Sequence, residues 1–566
     1  MALSRAAGVC RLALRTQWTV VRLLSSTAAG AESLSDDKKG RRLVDLEALR
    51  RERALRPPAE RRQLAPTRKA AREQVQLNGD IQACASAEAV LGLVSSRLAA
   101  FNEVNAATAL LTISRRVGKN KAARWVSGDA RFAQLLSAAK LLFGQMAPQE
   151  LSNTLYACGQ LGIVPPADWL EQYWHVSAPQ LGEFNPQNLS NTIYACGQLG
   201  ITPPAGWLQR YWLVSAPKLG DFKTQDFSNT LYACGQLGIA PSGDWLQRFW
   251  HTSGPKLGEF TPQELSNALY ACGQLGIAPP AEWLQRSWHV SASKLGEFKP
   301  QELSNTLYAC GQLCVTPPAD WLQRFWHASA TKLGEFKPQE LSNTLYACGQ
   351  QGINPPSAWL QCFSDSFERS LLDANSQDLS NTTLSLTILG LWELPLWRSL
   401  WERLCNALLD TAGWNADSQL HARQLYQTYQ AAAVERPGLL PAPVPELLAA
   451  ARKCWIDVMV DRSSKLHDQV SACLTRMGVM HANEQWCERA ERSIDIAIEG
   501  AVVPIALEVD GPTHFLQDGR QDGSTQLRNR MLAAHGWRVV VVDYRVWQHQ
   551  LQTEAQREEY LRDLLA

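Results

Sequence analysis

One motif constrains this 566-residue chain more than any other feature. Leu151, Leu189, Phe227, Leu265, Leu303, Leu341 and Leu379 each open a copy of Leu-Ser-Asn-Thr-Leu-Tyr-Ala-Cys-Gly-Gln-Leu-Gly or a close variant. The copies lie 38 residues apart without a slip. Trp169, Trp207, Trp245, Trp283, Trp321, Trp359 and Trp397 keep the same register. Six copies are clear, and the seventh, from Leu379, has lost its Cys and its Pro-Pro. A unit of this size cannot cover its own apolar face, so stacked neighbours must do it.

Each unit reads as two helices. The first opens at Pro-Gln-Glu-Leu (Pro262 to Leu265), with Pro at the first helical position behind a capping residue such as Thr261 or Asn185. It stops at a glycine: Gly162, Gly200, Gly238 or Gly276. A Pro-Pro pair then opens the second helix, which carries Trp-Leu and a second aromatic pair such as Phe325-Trp326. At about 100° per residue, Leu303, Leu307 and Cys310 share one face of the first helix. Gln301, Asn305, Tyr308 and Gln312 share the opposite face. In the second helix Trp321, Leu322, Phe325 and Trp326 are core, while Asp320, Arg324 and His327 face outward. The expected fold is mostly α: an α-solenoid of 38-residue hairpins over 151–415, with degenerate helical repeats over 81–150. Cys158, Cys196, Cys234, Cys272, Cys310 and Cys348 keep the period and read as a packing position. No Cys-x-x-Cys pair occurs, so neither a zinc ribbon nor a thioredoxin-like site is expected.

Stacked repeats turn single residues into ladders. The first helices give Asn153, Asn191, Asn229, Asn267, Asn305 and Asn343 beside Tyr156, Tyr194, Tyr232, Tyr270, Tyr308 and Tyr346. The second helices give Arg210, Arg248, Arg286 and Arg324. Modular helical repeats bind about one RNA base each, with two or three side chains per repeat. Tyrosine supplies a stacking plate and Asn or Gln supplies edge hydrogen bonds. These residues are therefore candidate contacts for single-stranded RNA. Any duplicated sequence produces ladders, however, and Leu151–Asp378 carries 12 basic against 18 acidic residues. Physics alone leaves a protein scaffold and an RNA binder both open. Positions identical in every unit supply general affinity only. Discrimination would fall to variable series such as Val164, Thr202, Ala240, Ala278, Thr316 and Asn354.

The pattern of Pro-Pro-x-x-Trp-Leu followed by Leu-Ser-Asn-Thr-Leu-Tyr-Ala-Cys-Gly-Gln-Leu-Gly at this period resembles the octotricopeptide repeat of green-algal organelle proteins. The resemblance covers about 250 residues. It implies sequence-specific binding of organellar RNA, acting on transcript stability, processing or translation, with ribonucleoprotein partners.

From Ser493 the texture changes to strands: Ile494-Asp495-Ile496-Ala497-Ile498, then Ile505 to Phe515, a helix, and Gly536-Trp537-Arg538-Val539-Val540-Val541-Val542. A small α/β domain is expected over 493–566, behind a helical connector over 416–490. Its order of motifs is very similar to the RAP domain, which accompanies RNA-binding arrays in algal organelles and in animal FAST-kinase-like mitochondrial proteins. The RAP domain in turn resembles restriction-endonuclease-like folds, whose acidic residues hold a divalent metal for phosphodiester cleavage. By that resemblance Asp495, Glu508, Asp510 and His514 are the candidate catalytic residues. Glu508 and Asp510 would hold Mg²⁺ or Mn²⁺, and no cofactor is expected otherwise. A Lys usual two residues past the second acid is replaced by Asp510, leaving Arg528 or Arg530 to supply the cation. Both arginines are also RNA-contact candidates. The preferred reading is a retired nuclease fold that holds RNA or a partner.

The first 31 residues carry Arg5, Arg11, Arg15 and Arg22 and no acid, the composition of an organelle transit peptide. Arg22-Leu23-Leu24-Ser25-Ser26 resembles a mitochondrial matrix cleavage site, with the chloroplast stroma as the alternative. Residues 32–80 read as a flexible basic linker, with 13 basic and four acidic residues between Lys38 and Arg72. No apolar run reaches the roughly 18 residues a spanning helix needs, so no membrane partner is expected.

Overall fold

The computed structural model describes residues 68–117, 123–458, 464–500 and 503–566. The transit-peptide reading, and the linker reading as far as Thr67, lie outside the described residues. The end of the expected linker is helical instead. Arg68–Ala83 is an α-helix, and Leu77 and Ile81, four residues apart on one face, are buried. Their i, i+4 spacing decides the local structure despite the basic flank.

The chain forms two compact units, one reaching to Phe249 and one running from Trp250 to Ala566. In both, the 38-residue repeats are helical hairpins. First helices span Pro148–Leu161, Pro186–Leu199 and Thr224–Leu237 in the earlier unit. In the later unit they span Pro262–Leu275, Pro300–Leu313, Pro338–Gln351 and Ser376–Leu389. Thr261 and Glu264 close a reciprocal capping box at one start. The stops are left-handed: Gly162, Gly200 and Gly276 have φ of 65°, 64° and 63°. In the Pro300–Leu313 hairpin Cys314 holds that conformation, at φ 56°.

The Ala-Cys-Gly triplet sets how closely the first helices approach. A Cβ added to Gly159 would sit 2.9 Å from Ala195 Cα, and one added to Gly311 would sit 3.2 Å from Ala347 Cα. Glycine facing a small residue, alanine here and Ser385 opposite Gly349, permits this backbone contact. Ser152 Oγ donates to the Asn188 carbonyl at 3.1 Å, and Ser304 Oγ to the Glu340 carbonyl at 2.9 Å. Second helices lock differently. Trp207 Nε1 donates to Ser177 Oγ at 3.0 Å and Trp321 Nε1 to Ser291 Oγ at 2.9 Å. Trp174 meets Trp207 edge-to-face at 5.2 Å, and Trp288 meets Trp321 likewise. The periodic tryptophans are buried between helices, as their register requires. The periodic cysteines are buried too, and desolvation pushes the Cys158 thiol up to about 12, so these thiols are inert packing groups.

The C-terminal sheet has the order β1 (Ala482–Cys487), β2 (Arg492–Ile498), β3 (Ile505–Asp510), β4 (Arg538–Asp543). β1–β2 and β2–β3 are antiparallel, while β3–β4 is parallel with the Gly523–Ala534 helix as its crossover. The expected boundary at Ser493 is too late. β1 precedes it, and Leu466, Val470 and Leu474 of the Lys465–Arg476 helix share one core with Ile496, Leu507 and Val542. The expected connector therefore shortens to the Ala416–Glu435 and Pro445–Ile456 helices. Among the described residues, no helix is long and apolar enough to cross a membrane.

Candidate nucleic-acid interface and buried carboxylate cluster

In each first helix the buried side chains start at Leu151, Leu155 and Cys158 and their equivalents, so the residues turned away from the second helices are Asn153, Tyr156 and Gln160. Asn153, Asn191, Asn229, Asn267, Asn305 and Asn343 are all half-buried on this face. The tyrosines form a ladder within each unit. Ring centroids lie 6.4 Å apart for Tyr156–Tyr194 and 6.3 Å for Tyr194–Tyr232. In the later unit they lie 6.2 Å apart for Tyr270–Tyr308 and 6.1 Å for Tyr308–Tyr346. The face presents amides, hydroxyls and ring edges without formal charge, a surface suited to neutral base edges. Arg210, Arg248, Arg286 and Arg324 are exposed on the second helices. They therefore lie on the other helix of each hairpin from the Asn–Tyr ladder.

The ladder is not open to its end. Tyr346 is only 5% exposed, and Gln350 on the same face is buried. The C-terminal domain seats there. Gln350 Nε2 reaches Ser524 Oγ at 3.5 Å, and a Cβ on Gly523 would come within 1.8 Å of the Gly349 carbonyl oxygen. Gln517 N donates to the Cys314 carbonyl at 2.8 Å and Thr316 Oγ1 to Asp518 Oδ2 at 2.9 Å. Tyr346 is thus corrected from an RNA contact to part of a covered face. Arg530 is likewise engaged: it pairs with Glu435 at 2.8 Å and donates to the carbonyls of Ile388 and Thr387, both at 2.8 Å. Its donors hold the domain to the repeats.

The four candidate catalytic residues lie on β2, β3 and the turn after β3. Glu508 and Asp510, two residues apart on one strand, point to the same side and meet Arg528 from the crossover helix. Arg528 Nη1 lies 2.9 Å from Glu508 Oε2, and Nη2 lies 2.9 Å from Asp510 Oδ1. His514 Nδ1 approaches Asp510 Oδ1 at 3.0 Å, and Gln521 Nε2 donates to Asp510 Oδ2 at 2.7 Å. Burial raises carboxylates, yet the Arg528 charge holds both Glu508 and Asp510 below their ordinary range. Burial lowers the Arg528 guanidinium, but the carboxylates more than offset this and raise it. Burial also depresses His514, against the pull of Asp510.

This arrangement does not fit a divalent ion on Glu508 and Asp510, because the guanidinium occupies the position between them. Arg528 supplies the cation that the missing Lys left open, and that role removes it from the RNA-contact candidates, since it has no exposed surface. Asp495 does not join the cluster through its free oxygen. Its Oδ2 accepts from Val509 N at 2.8 Å, and its Oδ1 has no hydrogen-bond partner. Two residues that the sequence reading missed, His467 and Glu484, lie beside Asp495 instead. They sit on a helix and an edge strand assigned to the connector, with no motif to mark them.

Residues 507–564 match the family model of the RAP domain. The chain is a helical-repeat protein with a C-terminal RAP domain. Residues 81–265 match the model described as the Tbc2 translation factor, C-terminal domain. Over 62 residues the chain is 39% identical to the RAP domain-containing protein, chloroplastic, of Oryza sativa subsp. japonica. That stretch is 11% of this chain and 10% of the relative, so the chain spans a tenth of the length of the curated relative it matches. The matched RAP segment contains the Glu508–Arg528–Asp510 cluster, the loop at Gln517–Arg520 and the helix that seats on the repeats.

Proposed function

We propose that this chain is an organellar RNA-binding protein that acts after transcription, on the processing, stability or translation of one or a few transcripts. The observation that carries the reading is the uncharged Asn–Tyr–Gln ladder repeated on the face of the first helices turned away from the second. Such a face offers one stacking plate and two amides per repeat, which suits single-stranded RNA read about one base per repeat. The RAP domain, usually a nucleic-acid-binding module, supports the same reading. The Tbc2 translation factor match favours translation among the three steps, and the chloroplastic relative supports an organelle as the site of action. Octotricopeptide-type recognition is the finer form of this proposal. Variable positions such as Val164 and Ala278, exposed beside the Pro turns, would carry selectivity.

Crosslinking followed by RNA sequencing tests it, comparing wild type with a Tyr156→Ala, Tyr194→Ala, Tyr232→Ala chain. Wild type should enrich a small set of transcripts. Stacking is worth about 1–3 kcal/mol per base, so three losses should reduce recovery more than roughly 10-fold. No enriched transcript, alongside a stable protein partner, would replace this reading with the scaffold. Cleavage by the RAP domain finds no support in the Arg528-bridged carboxylates. Fusing residues 1–31 to a fluorescent protein separates mitochondrion from chloroplast.

A further inference from the structure

We infer that the RAP-domain sheet carries a binding site for one divalent transition-metal ion, held by His467, Glu484 and Asp495. The site shares no ligand with the Glu508–Arg528–Asp510 cluster and does not rest on the RNA reading. One ligand atom from each residue converges within 4.8 Å of the others. The three come from three elements: the Lys465–Arg476 helix, β1 and β2. Buried polar groups are nearly always hydrogen-bonded, yet here several are orphaned together. Both ring nitrogens of His467, Oε1 of Glu484 and Oδ1 of Asp495 are buried without a hydrogen-bond partner. His467 and Asp495 expose 1% and 0% of their surface. His467 Nδ1 and Glu484 Oε1 lie 3.5 Å apart, beyond the usual hydrogen-bond distance.

The remaining carboxylate atoms are fixed in the manner of supported metal ligands. Asp495 Oδ2 accepts from Val509 N at 2.8 Å, and Glu484 Oε2 accepts from Ser493 Oγ at 3.1 Å. The free Oε1 of Glu484 is thereby turned toward His467 Nδ1. Glu484 reaches this position from a left-handed backbone, φ 51°, which non-glycine residues seldom adopt inside a strand.

One imidazole with two carboxylates selects Zn²⁺, Co²⁺ or Mn²⁺ over Mg²⁺ and Ca²⁺, which prefer all-oxygen shells. Zn–N and Zn–O distances of about 2.0–2.2 Å place tetrahedral ligand atoms about 3.4 Å apart. Closing on the ion therefore needs a contraction of up to about 1.4 Å, within the reach of side-chain rotation. The ion would staple the helix before the sheet to its first two strands, with water as the fourth ligand.

The test uses the full-length, tag-free protein, stripped with chelator and titrated with Co²⁺ and Zn²⁺ alone. Wild type should take up one equivalent, show visible d–d bands for Co²⁺ without thiolate charge transfer, and melt higher with metal. Glu484→Gln and His467→Ala should weaken uptake more than roughly 100-fold. Substoichiometric uptake by wild type, or uptake equal in wild type and Glu484→Gln, overturns the site. So does a melting point that does not respond to metal. The wild-type spectrum decides the matter even where a variant fails to fold.

Discussion

The guanidinium of Arg528 lies between Glu508 and Asp510, 2.9 Å from each, with none of the three side chains reaching the surface. Removing one partner of a buried pair leaves an uncompensated charge, which costs about 3–5 kcal/mol. Arg528→Ala should lower the denaturation midpoint of the RAP-domain transition by that order, while the repeat transitions stay in place. A loss below about 1 kcal/mol would show that the carboxylates find another partner.

The same cluster has a pH signature. Asp510 is held below its ordinary range, and the ordinary value in the unfolded chain is about 3.9. A depressed carboxyl stabilises fully above the unfolded value, and that contribution is lost as pH falls through the folded one. The stability difference between wild type and Asp510→Asn should therefore be flat above about pH 5 and shrink in acid. A difference that instead grows on acidification would contradict the Arg528 assignment. Denaturant curves at stepped pH measure it.

Gly159 and Gly182 both belong to the repeat, but only one touches a neighbour. A Cβ at Gly159 meets Ala195 Cα at 2.9 Å, whereas one at Gly182 meets nothing within 4 Å. Gly159→Val should cost about 2–3 kcal/mol through overpacking. Gly182→Ala should stay within about 0.5 kcal/mol. Equal melting points for the two variants would mean the first helices are not in backbone contact.

Much of this was legible because the repeat states its rules many times over. Pro262 and Gly276 mark helix ends by backbone chemistry, and the burial of Trp321 follows from helical period alone. Charge networks are another matter. Arg528 and Arg530 are two residues apart in sequence, yet one is a buried counterion and the other reaches Glu435, because a helix turns about 200° between them. β1 was missed because Asn483, Glu484 and Gln485 lack the apolar alternation that marks a strand. Tyr346 looked like its five predecessors, since no local residue announces that Ser524 will seat nearby.

Cys314 occupies a left-handed stop that glycine fills in the neighbouring repeats. A Cβ there costs about 1–2 kcal/mol, while glycine forfeits about 0.4–1 kcal/mol through its freer unfolded chain. Cys314→Gly should therefore stabilise the later unit by about 0.5–1 kcal/mol. The hydrogen bond that Gln517 N donates to the residue 314 carbonyl involves only backbone atoms there and should survive. Destabilisation on substitution would mean the Cys314 side chain contributes packing that outweighs the strain.

The RAP domain seats on the repeats through a close backbone contact. Gly523 opens the crossover helix directly against the Gly349 carbonyl, where an added Cβ would lie 1.8 Å from the oxygen and 2.7 Å from Ile388 Cγ2. Neither obstacle is a flexible side-chain end that can swing clear: one is backbone and the other a β-branched core methyl. Gly523→Val should therefore unseat the helix without damaging the sheet, whose core residues lie on β2, β3 and β4. Hydrogen exchange should accelerate in Pro338–Gln351 and Ser376–Leu389, the two first helices beneath it, while Pro148–Leu161 stays unchanged. Gln350 and Tyr346 should gain exposure, read as faster modification of Tyr346. Arg530→Ala is the milder comparison, because its hydrogen bonds to Glu435 and the Ile388 carbonyl are only partly buried and its loss removes about 1 kcal/mol or less. Unchanged exchange in Gly523→Val would show that the contact at Gly349 is not what holds the domain to these repeats.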